Sequence, residues 1–354
     1  MADWTKGMQQ TFEYYEVDPA TWRDKRLLSN IISSTVNRDG SNETLGSATI
    51  DSSEEYGEMY VRIYLVVIQT EGIEKFSLGT FLIQTPHDTF NGKSKTYSYD
   101  AYTPLLELKD NIPPLGYFVP KGTNIMDIVN RLCFNHCRVP YVPGSAEYEL
   151  AFDFVASDSD TWLSFLSDLM ANAKHSFGLD DLCRIIFYTK IDTASMRPVW
   201  NFTDDNSSIL YSDFSRERDL YGIPNVVEVV YSAPSGRPMY AEVINDDPNS
   251  PTSTVSRGRT IIHRETSPSL NGQPTQEELE EYATVLLREL STLEYSVTYT
   301  HGYCPVNLGD CVLLNYSRAG IENVKAKVVS QSISCIPGCP VEETAIFTEK
   351  MWEK

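Results

Sequence analysis

Nowhere in this sequence is there the run of about 18 apolar residues that a membrane-spanning helix requires. The longest candidate, YVRIYLVVIQ, is interrupted by Arg62. The start, MADWTKGMQQTFEYY, has none of the charged, apolar and small-residue zones of a secretory leader. The expectation is a soluble chain made in a cytoplasm, with no membrane segment. Basic residues are scarce: 29 Lys and Arg stand against 49 Asp and Glu, a net charge of −20. Such a chain repels duplex nucleic acid, and no local Lys/Arg cluster offsets this, which excludes a sequence-specific nucleic-acid binder. Acidity favours solubility in general. A more specific reading is a surface that nucleic acid slides past without sticking. Seven cysteines, an odd number without a leader, point to reduced thiols rather than a disulfide framework. Catalytic signatures are missing too: no phosphate-binding G-x-x-x-x-G-K-[ST], no G-x-G-x-x-G, no G-x-S-x-G and no H-E-x-x-H. His87, His136, His175, His263 and His301 fall in unrelated contexts, and none has a Ser or Cys partner that local sequence can justify as a nucleophile–base pair.

What is present is β-rich. The 354 residues suffice for two or three domains. The first hundred read as a meander. NETLGSATID offers Leu45, Ala48 and Ile50, and Met59–Gln69 is dense in β-branched and aromatic residues. A turn through Gly72 leads to FSLGTFLIQTP, a strand expected to stop at Pro86, and Lys93–Tyr102 alternates polar and aromatic residues. Prolines in LKDNIPPLGYFVPKGTN mark a boundary. Beyond it, Ile125, Ile128, Val129 and Leu132 repeat at helical spacing behind a capping Asn124, with Asp127 in the first turn. A second helix is expected with Trp162, Phe165, Leu166, Leu169 and Met170 on its buried face, Ser157 or Ser159 as cap, Phe152 and Phe154 ending the preceding strand, and Gly178 as the stop. Strands follow in LCRIIFYTK and PVWNFTD. Gly222–Ala233 is another strand, NDDPNSPTSTVSRGR a surface loop or mobile segment, and TQEELEEYATVLLRELST a helix capped by Thr275 with Leu279, Tyr282, Leu286 and Leu290 on one side. The remainder, including EYSVTYTH, DCVLLNY, VKAKVVSQSIS and ETAIFTEK, is β.

Candidate chemistry is sparse. The paired acids Asp180-Asp181 and Asp204-Asp205 could suggest a glycosidase, but adjacent acids in so acidic a chain read better as solvated loops. SDSD (Ser157–Asp160) lacks the Gly and bidentate Glu of a calcium loop and reads as a helix cap. In CFNHC, Cys133 and Cys137 lie one helical turn apart beside His136, a spacing that also suits Cys133 as an extension of the buried stripe. The better metal candidate is Cys304, Cys311, Cys335 and Cys339, with His301 nearby, although neither C-x6-C nor C-x3-C is a zinc-knuckle spacing. Zinc and a disulfide stay open there as alternatives to free thiols. No cofactor is expected.

At YCPVNLGDCVLLNY the sequence resembles the late strand pair of baseplate hub proteins from tailed bacteriophages and phage-tail-like particles. Pro305, Leu308, Gly309, Asp310, Val312 and Leu314 fill that pattern. Other stretches resemble the same family in the same order. SRERDLYGIPNVVEVVYSA supplies Asn225, Val226, Val227 and Val229. SDTWLSFLSDLMANAKHSFGLDDLCRIIFYTK supplies Thr161, Trp162 and Leu166, then Ile185, Ile186 and Phe187. FSLGTFLIQTP with YSYDAYTPLLELKDN resembles the family's first barrel. Cys311 stands where a hydrophobe is usual, and HDTFNGKSK and NDDPNSPTSTVSRGR have no counterpart. The resemblance implies a β-rich α+β chain: a tail-tube-like β-barrel over residues 1–108, an α/β insert over 109–205, and a connecting segment, helix and second barrel over 206–354. It implies a non-enzymatic homotrimer, a pseudo-hexameric ring of six barrels joining a six-fold tail tube to a three-fold spike in the virion baseplate, through which DNA passes. The implied partners are tube or distal tube protein, central spike, tape measure and other baseplate proteins. Two other readings compete. One is a tail-associated peptidoglycan hydrolase, although the chain ends about where the second barrel should end. The other is a receptor- or carbohydrate-binding tail-tip protein using exposed aromatics such as Tyr141 and Tyr148.

Overall fold

A computed structural model describes residues 2–352 apart from 71, 146, 190, 206–207, 232–237, 267 and 269–273. The chain opens with seven strands: β1 Gln9–Asp18, β2 Arg23–Leu27, β3 Ile31–Asp39, β4 Gly46–Ser52, β5 Met59–Gln69, β6 Gly72–Phe90 and β7 Lys95–Tyr102. A mixed stretch follows: α1 Leu106–Lys109, β8 Phe118–Val119, α2 Ile125–His136, β9 Phe154–Val155, α3 Trp162–Ala171, β10 His175–Leu179, β11 Ile185–Thr189 and β12 Trp200–Thr203. Then come β13 Leu210–Asp219, β14 Val226–Tyr231, β15 Met239–Ile244, α4 Thr254–Arg257, β16 Ile262–Glu265 and α5 Gln276–Leu290. The chain closes with β17 Thr292–Gly302, β18 Cys311–Tyr316, β19 Ile321–Ser334 and β20 Pro340–Lys350. The fold is therefore mostly antiparallel β with few helices. Two compact units are distinguished: residues 1–214 with 298–345, and residues 215–297 with 346–354. Among the described residues no helix is long and apolar enough to cross a membrane.

In the larger unit the first and last strands share one sheet. Thr35–Asp39 of β3 pairs antiparallel with Ser330–Ser334 of β19, and β4, β7, β6, β5, β1 and β2 continue outward from β3 in that order. The Met59–Gln69 strand has the bounds its residue types indicate, since neighbours β1 and β6 hydrogen-bond both of its edges and β-branched side chains fill both faces. Arg62, which breaks its apolar run, is almost fully buried. Its guanidinium meets Asp24 Oδ1 at 2.8 Å, Thr80 Oγ1 at 2.8 Å and the Trp22 carbonyl at 3.2 Å. One expectation for β6 needs correction. It does not stop at Pro86, because a register shift between Gln84 and Pro86 takes up the missing N–H and the strand runs on to Phe90. Gly72, at φ +149°, closes the turn from β5 to β6 by pairing with Gln69, as expected.

The helices follow their capping chemistry. Asn124 accepts from the backbone N–H groups of Met126 and Asp127, and Ile125, Ile128, Val129 and Leu132 are buried, as their spacing predicts. For α3 the cap is Thr161 rather than Ser157 or Ser159. Its hydroxyl accepts from Ser164 N while Ser164 Oγ receives the Thr161 N–H, a capping box. Helix α3 ends at Ala171, and Gly178 belongs to β10, where a Cβ would lie 3.0–3.1 Å from the Tyr188 ring and the Ile186 side chain, a tight fit. Phe152 is exposed and outside the strand; β9 consists of Phe154 and Val155. Trp162, Phe165, Leu166, Leu169 and Met170 join the α2 stripe in one core.

In the smaller unit α5 packs Leu279, Ala283 and Leu287 on Val227, Val229 and Ala241 of the β14–β15 pair. Thr275 and Glu278 form its capping box. Fully buried Asn225 explains the polar residue ahead of Val226-Val227: its amide donates to the Arg259 carbonyl at 2.9 Å and its oxygen accepts from Ile261 N at 2.7 Å. The expected strand to Ala233 is β14, ending at Tyr231; residues 232–233 lie outside the described ones. The surface segment Asn245–Gly258 turns part of its polar content inward. Asn245, Ser250, Thr252 and Ser253 are buried and bond one another or the backbone, and α4 starts at the Ser253 cap and ends at Gly258 in the left-handed region.

Candidate functional site

The turn that carries the sequence resemblance joins β17 to β18. Gly309 sits at φ +87°, Asp310 accepts from Asn307 N at 2.8 Å, and Gly309 N donates to the Val328 carbonyl at 2.8 Å. Burial pushes the Asp310 carboxyl upward in pKa. Cys311, Val312 and Leu314 are then buried, the cysteine as a small apolar group. CIPGC is the turn between the neighbouring strands β19 and β20, with Cys339 N donating to the Ile336 carbonyl at 2.8 Å. The two turns are pinned together, but by backbone: Tyr303 N donates to the Cys339 carbonyl at 3.1 Å.

All seven cysteines are free. Cys304 Sγ lies 3.8 Å from His301 Nδ1, and Cys311 Sγ turns to the Val312 carbonyl at 3.9 Å. Among the described residues no three His, Cys, Asp or Glu side chains converge to hold a metal ion. Burial drives the thiols up, Cys335 and Cys183 to about 11 and Cys133 to about 12, with Cys137, Cys304, Cys311 and Cys339 raised as well. A thiolate is the nucleophile and the metal ligand, so these groups sit in its unreactive form. The folded protein at pH 8 should therefore leave a disulfide-exchange thiol reagent largely unconsumed, with the half-buried Cys137 reacting first. In denaturant all seven thiols should titrate. Fast native labelling of Cys304 or Cys335 would contradict this burial.

The structure places the other candidates as follows. His136 stacks on Trp162 at 4.5 Å rather than joining Cys133 and Cys137. Asp160 accepts from Ser157 N, closing the SDSD turn. Asp180 is taken up by Arg184 and by the Leu182 and Arg184 N–H groups, Asp181 accepts from Asn307, and Asp204 holds Ser317 and Arg318. Tyr141 packs against the α2–α3 core, whereas Tyr148 is exposed at 42% and meets His175 edge-on at 5.7 Å.

A buried polar cluster in the same region has no local signature. Glu343 and His301 are fully buried. Tyr299 OH donates to Glu343 Oε1 at 2.5 Å and Gln331 Nε2 to Oε2 at 2.6 Å. The Nδ1–H of His301 donates to the Gly302 carbonyl at 2.7 Å. This leaves Nε2 at 3.5 Å from Glu343 Oε2, a partner only when that nitrogen is protonated. From Gln331 Oε1 the network continues to Arg38, 3.0 Å away. Tyr299 and Glu343 are 44 residues apart, so spacing could not reveal the cluster. Sealed from solvent and holding one donor on each oxygen, Glu343 is placed to tie strands together rather than to meet a substrate.

The comparisons belong beside this geometry. No protein-family model and no curated protein matches the sequence. Among solved structures, the tail protein from Neisseria meningitidis MC58 aligns over 96% of this chain and 96% of its own, at 13% identity and a TM-score of 0.62. This chain has the fold of phage tail proteins. The 43 kDa tail protein of prophage MuSo2 from Shewanella oneidensis aligns over 95% and 98%, at 9% identity and 0.62. A chain of the half-lidded Francisella PdpA–VgrG complex aligns over 99% of this chain and 60% of its own, at 9% identity and 0.58. The tail-protein fold extends over nearly the whole chain, its α/β stretch included.

Proposed function

We propose that this protein is a structural baseplate hub of a phage tail or phage-derived injection particle. The supporting observation is the end-to-end correspondence with tail proteins, 96% of both chains for the first and 95% and 98% for the second. The ordered sequence resemblance points the same way. Residues 1–108 and 206–354 would supply two tube-like barrels and 109–205 the insert. Three chains would close a pseudo-hexameric ring between six-fold tube and three-fold spike, in contact with tube or distal tube protein, tape measure and other baseplate proteins. Synthesis would be in the bacterial host cytoplasm and residence in the virion baseplate. The net charge of −20 fits a ring whose lumen passes DNA without adhesion. The role needs no catalysis, and the buried acids and thiols serve packing. Mass measurement of the chain co-expressed with its tube and spike proteins should give three copies per complex. A monomer that clears a cell-wall zymogram would overturn the hub reading in favour of a hydrolase.

A further inference from the structure

The larger unit holds a cavity of about 370 Å³ where β10–β11 and the Asn307–Gly309 turn face β3, β6 and β19. That is within the range of small-molecule pockets and far beyond the room one water needs. Its wall is largely apolar, with Leu45, Leu78, Phe81 and Phe177 among the lining, and it carries two cations, Arg38 and Lys327. Neither has a carboxylate partner among the described residues. The lining acid, Asp180, is already neutralised by Arg184 at 2.6 Å. Arg38 is held rigidly by neutral groups: one terminal nitrogen reaches Asn307 Oδ1 at 2.8 Å and Gln331 Oε1 at 3.0 Å, the other the Leu78 carbonyl at 3.1 Å. Three acids stand behind it and hydrogen-bond those amides rather than the guanidinium: Asp310 accepts from the Asn307 N–H, Asp181 from the Asn307 side-chain amide and Glu343 from the Gln331 amide, with Asp310 near enough to feel the Arg38 charge. Its Nε–H has no partner among the described residues. In a chain with a net charge of −20, two cations on an apolar wall with no direct ion pair among the described residues are an unusual placement.

We propose that this cavity binds a small organic anion with an apolar body, its carboxylate or sulfonate between Arg38 and Lys327 and its apolar part against the Leu45, Leu78 and Phe81 wall. Charge-assisted hydrogen bonds to a preset guanidinium would fix the head, and apolar burial would supply the rest of the affinity. The proposal goes beyond the hub role and does not depend on it.

The test uses the full-length protein and two fluorescent probes of like shape: anilinonaphthalene sulfonate, and uncharged N-phenyl-1-naphthylamine. The sulfonate should saturate at one site per chain and be displaced by octanoate but not by octylamine. Lys327→Met should weaken the sulfonate about tenfold, a change of about 1.4 kcal/mol, and leave the neutral probe unchanged. Lys327→Arg should restore the affinity, which separates lost charge from lost packing. No saturable site, or sulfonate binding untouched by Lys327→Met and equal to that of the neutral dye, overturns the proposal and assigns the dye to exposed apolar surface.

Discussion

Glu343→Leu should lower the unfolding midpoint of the purified protein by about 10 °C. The carboxylate accepts from Tyr299 OH and Gln331 Nε2 in a site with no water access. Leucine keeps much of the volume but leaves two buried donors without acceptors, each costing about 1–3 kcal/mol. A loss of about 3–5 kcal/mol follows, and in a unit of this size each kcal/mol moves the midpoint by about 2–4 °C. Glu343→Gln keeps an acceptor for Tyr299 and should lose less than half as much. Equal midpoints for Glu343→Leu and the parent, read by calorimetry, would show that the cluster carries no net stability.

Arg62→Met should be comparably damaging, at about 3 kcal/mol. Arg62 is 3% exposed, so its charge is committed to Asp24, Thr80 and the Trp22 carbonyl. Removing one partner of a buried pair leaves the other charge desolvated, typically at a cost of about 3–5 kcal/mol. The low end applies because Asp24 is itself 32% exposed and also accepts from Tyr64 OH. Chemical denaturation should show a lower midpoint with an unchanged slope. Replacing Asp24 as well, Arg62→Met with Asp24→Asn, should recover part of the loss, since no uncompensated charge remains. A double variant as unstable as the sum of the singles would sink the ion-pair explanation.

What the sequence could reveal depended on how local the cause was. Helices α2 and α5 were legible because Asn124 and Thr275 act on N–H groups two or three residues away and the apolar stripes repeat within the same segment. Strand β5 was legible because burial on both faces demands an unbroken β-branched run. The cap of α3 was misplaced by a few residues, since four hydroxyl or carboxylate side chains precede Thr161 and only backbone geometry selects among them. Pro86 misled because a bulge opposite β7 removes the need for its N–H, and a bulge leaves no mark on one strand's sequence. The order within 245–258 was hidden for a similar reason. Polar side chains that would suit solvent instead satisfy one another in the interior.

Non-local features were out of reach. Nothing in Thr35–Asp39 announces Ser330–Ser334 as its sheet neighbour, nor does His301 announce Glu343. The four C-terminal cysteines were conspicuous in the sequence, yet the carbonyl of Cys339, not its sulfur, ties the turns. The Gly309-Asp310 turn was the most informative short stretch, because a left-handed glycine followed by a carboxylate that caps the loop is fixed by its own residues.

An image of the assembled particle, with this chain located by a fused tag, tests the account most directly. The hub reading predicts three copies in a ring at the distal end of the tail tube, directly above the spike. Finding the chain on peripheral fibres, or absent from the assembled tail, would contradict it.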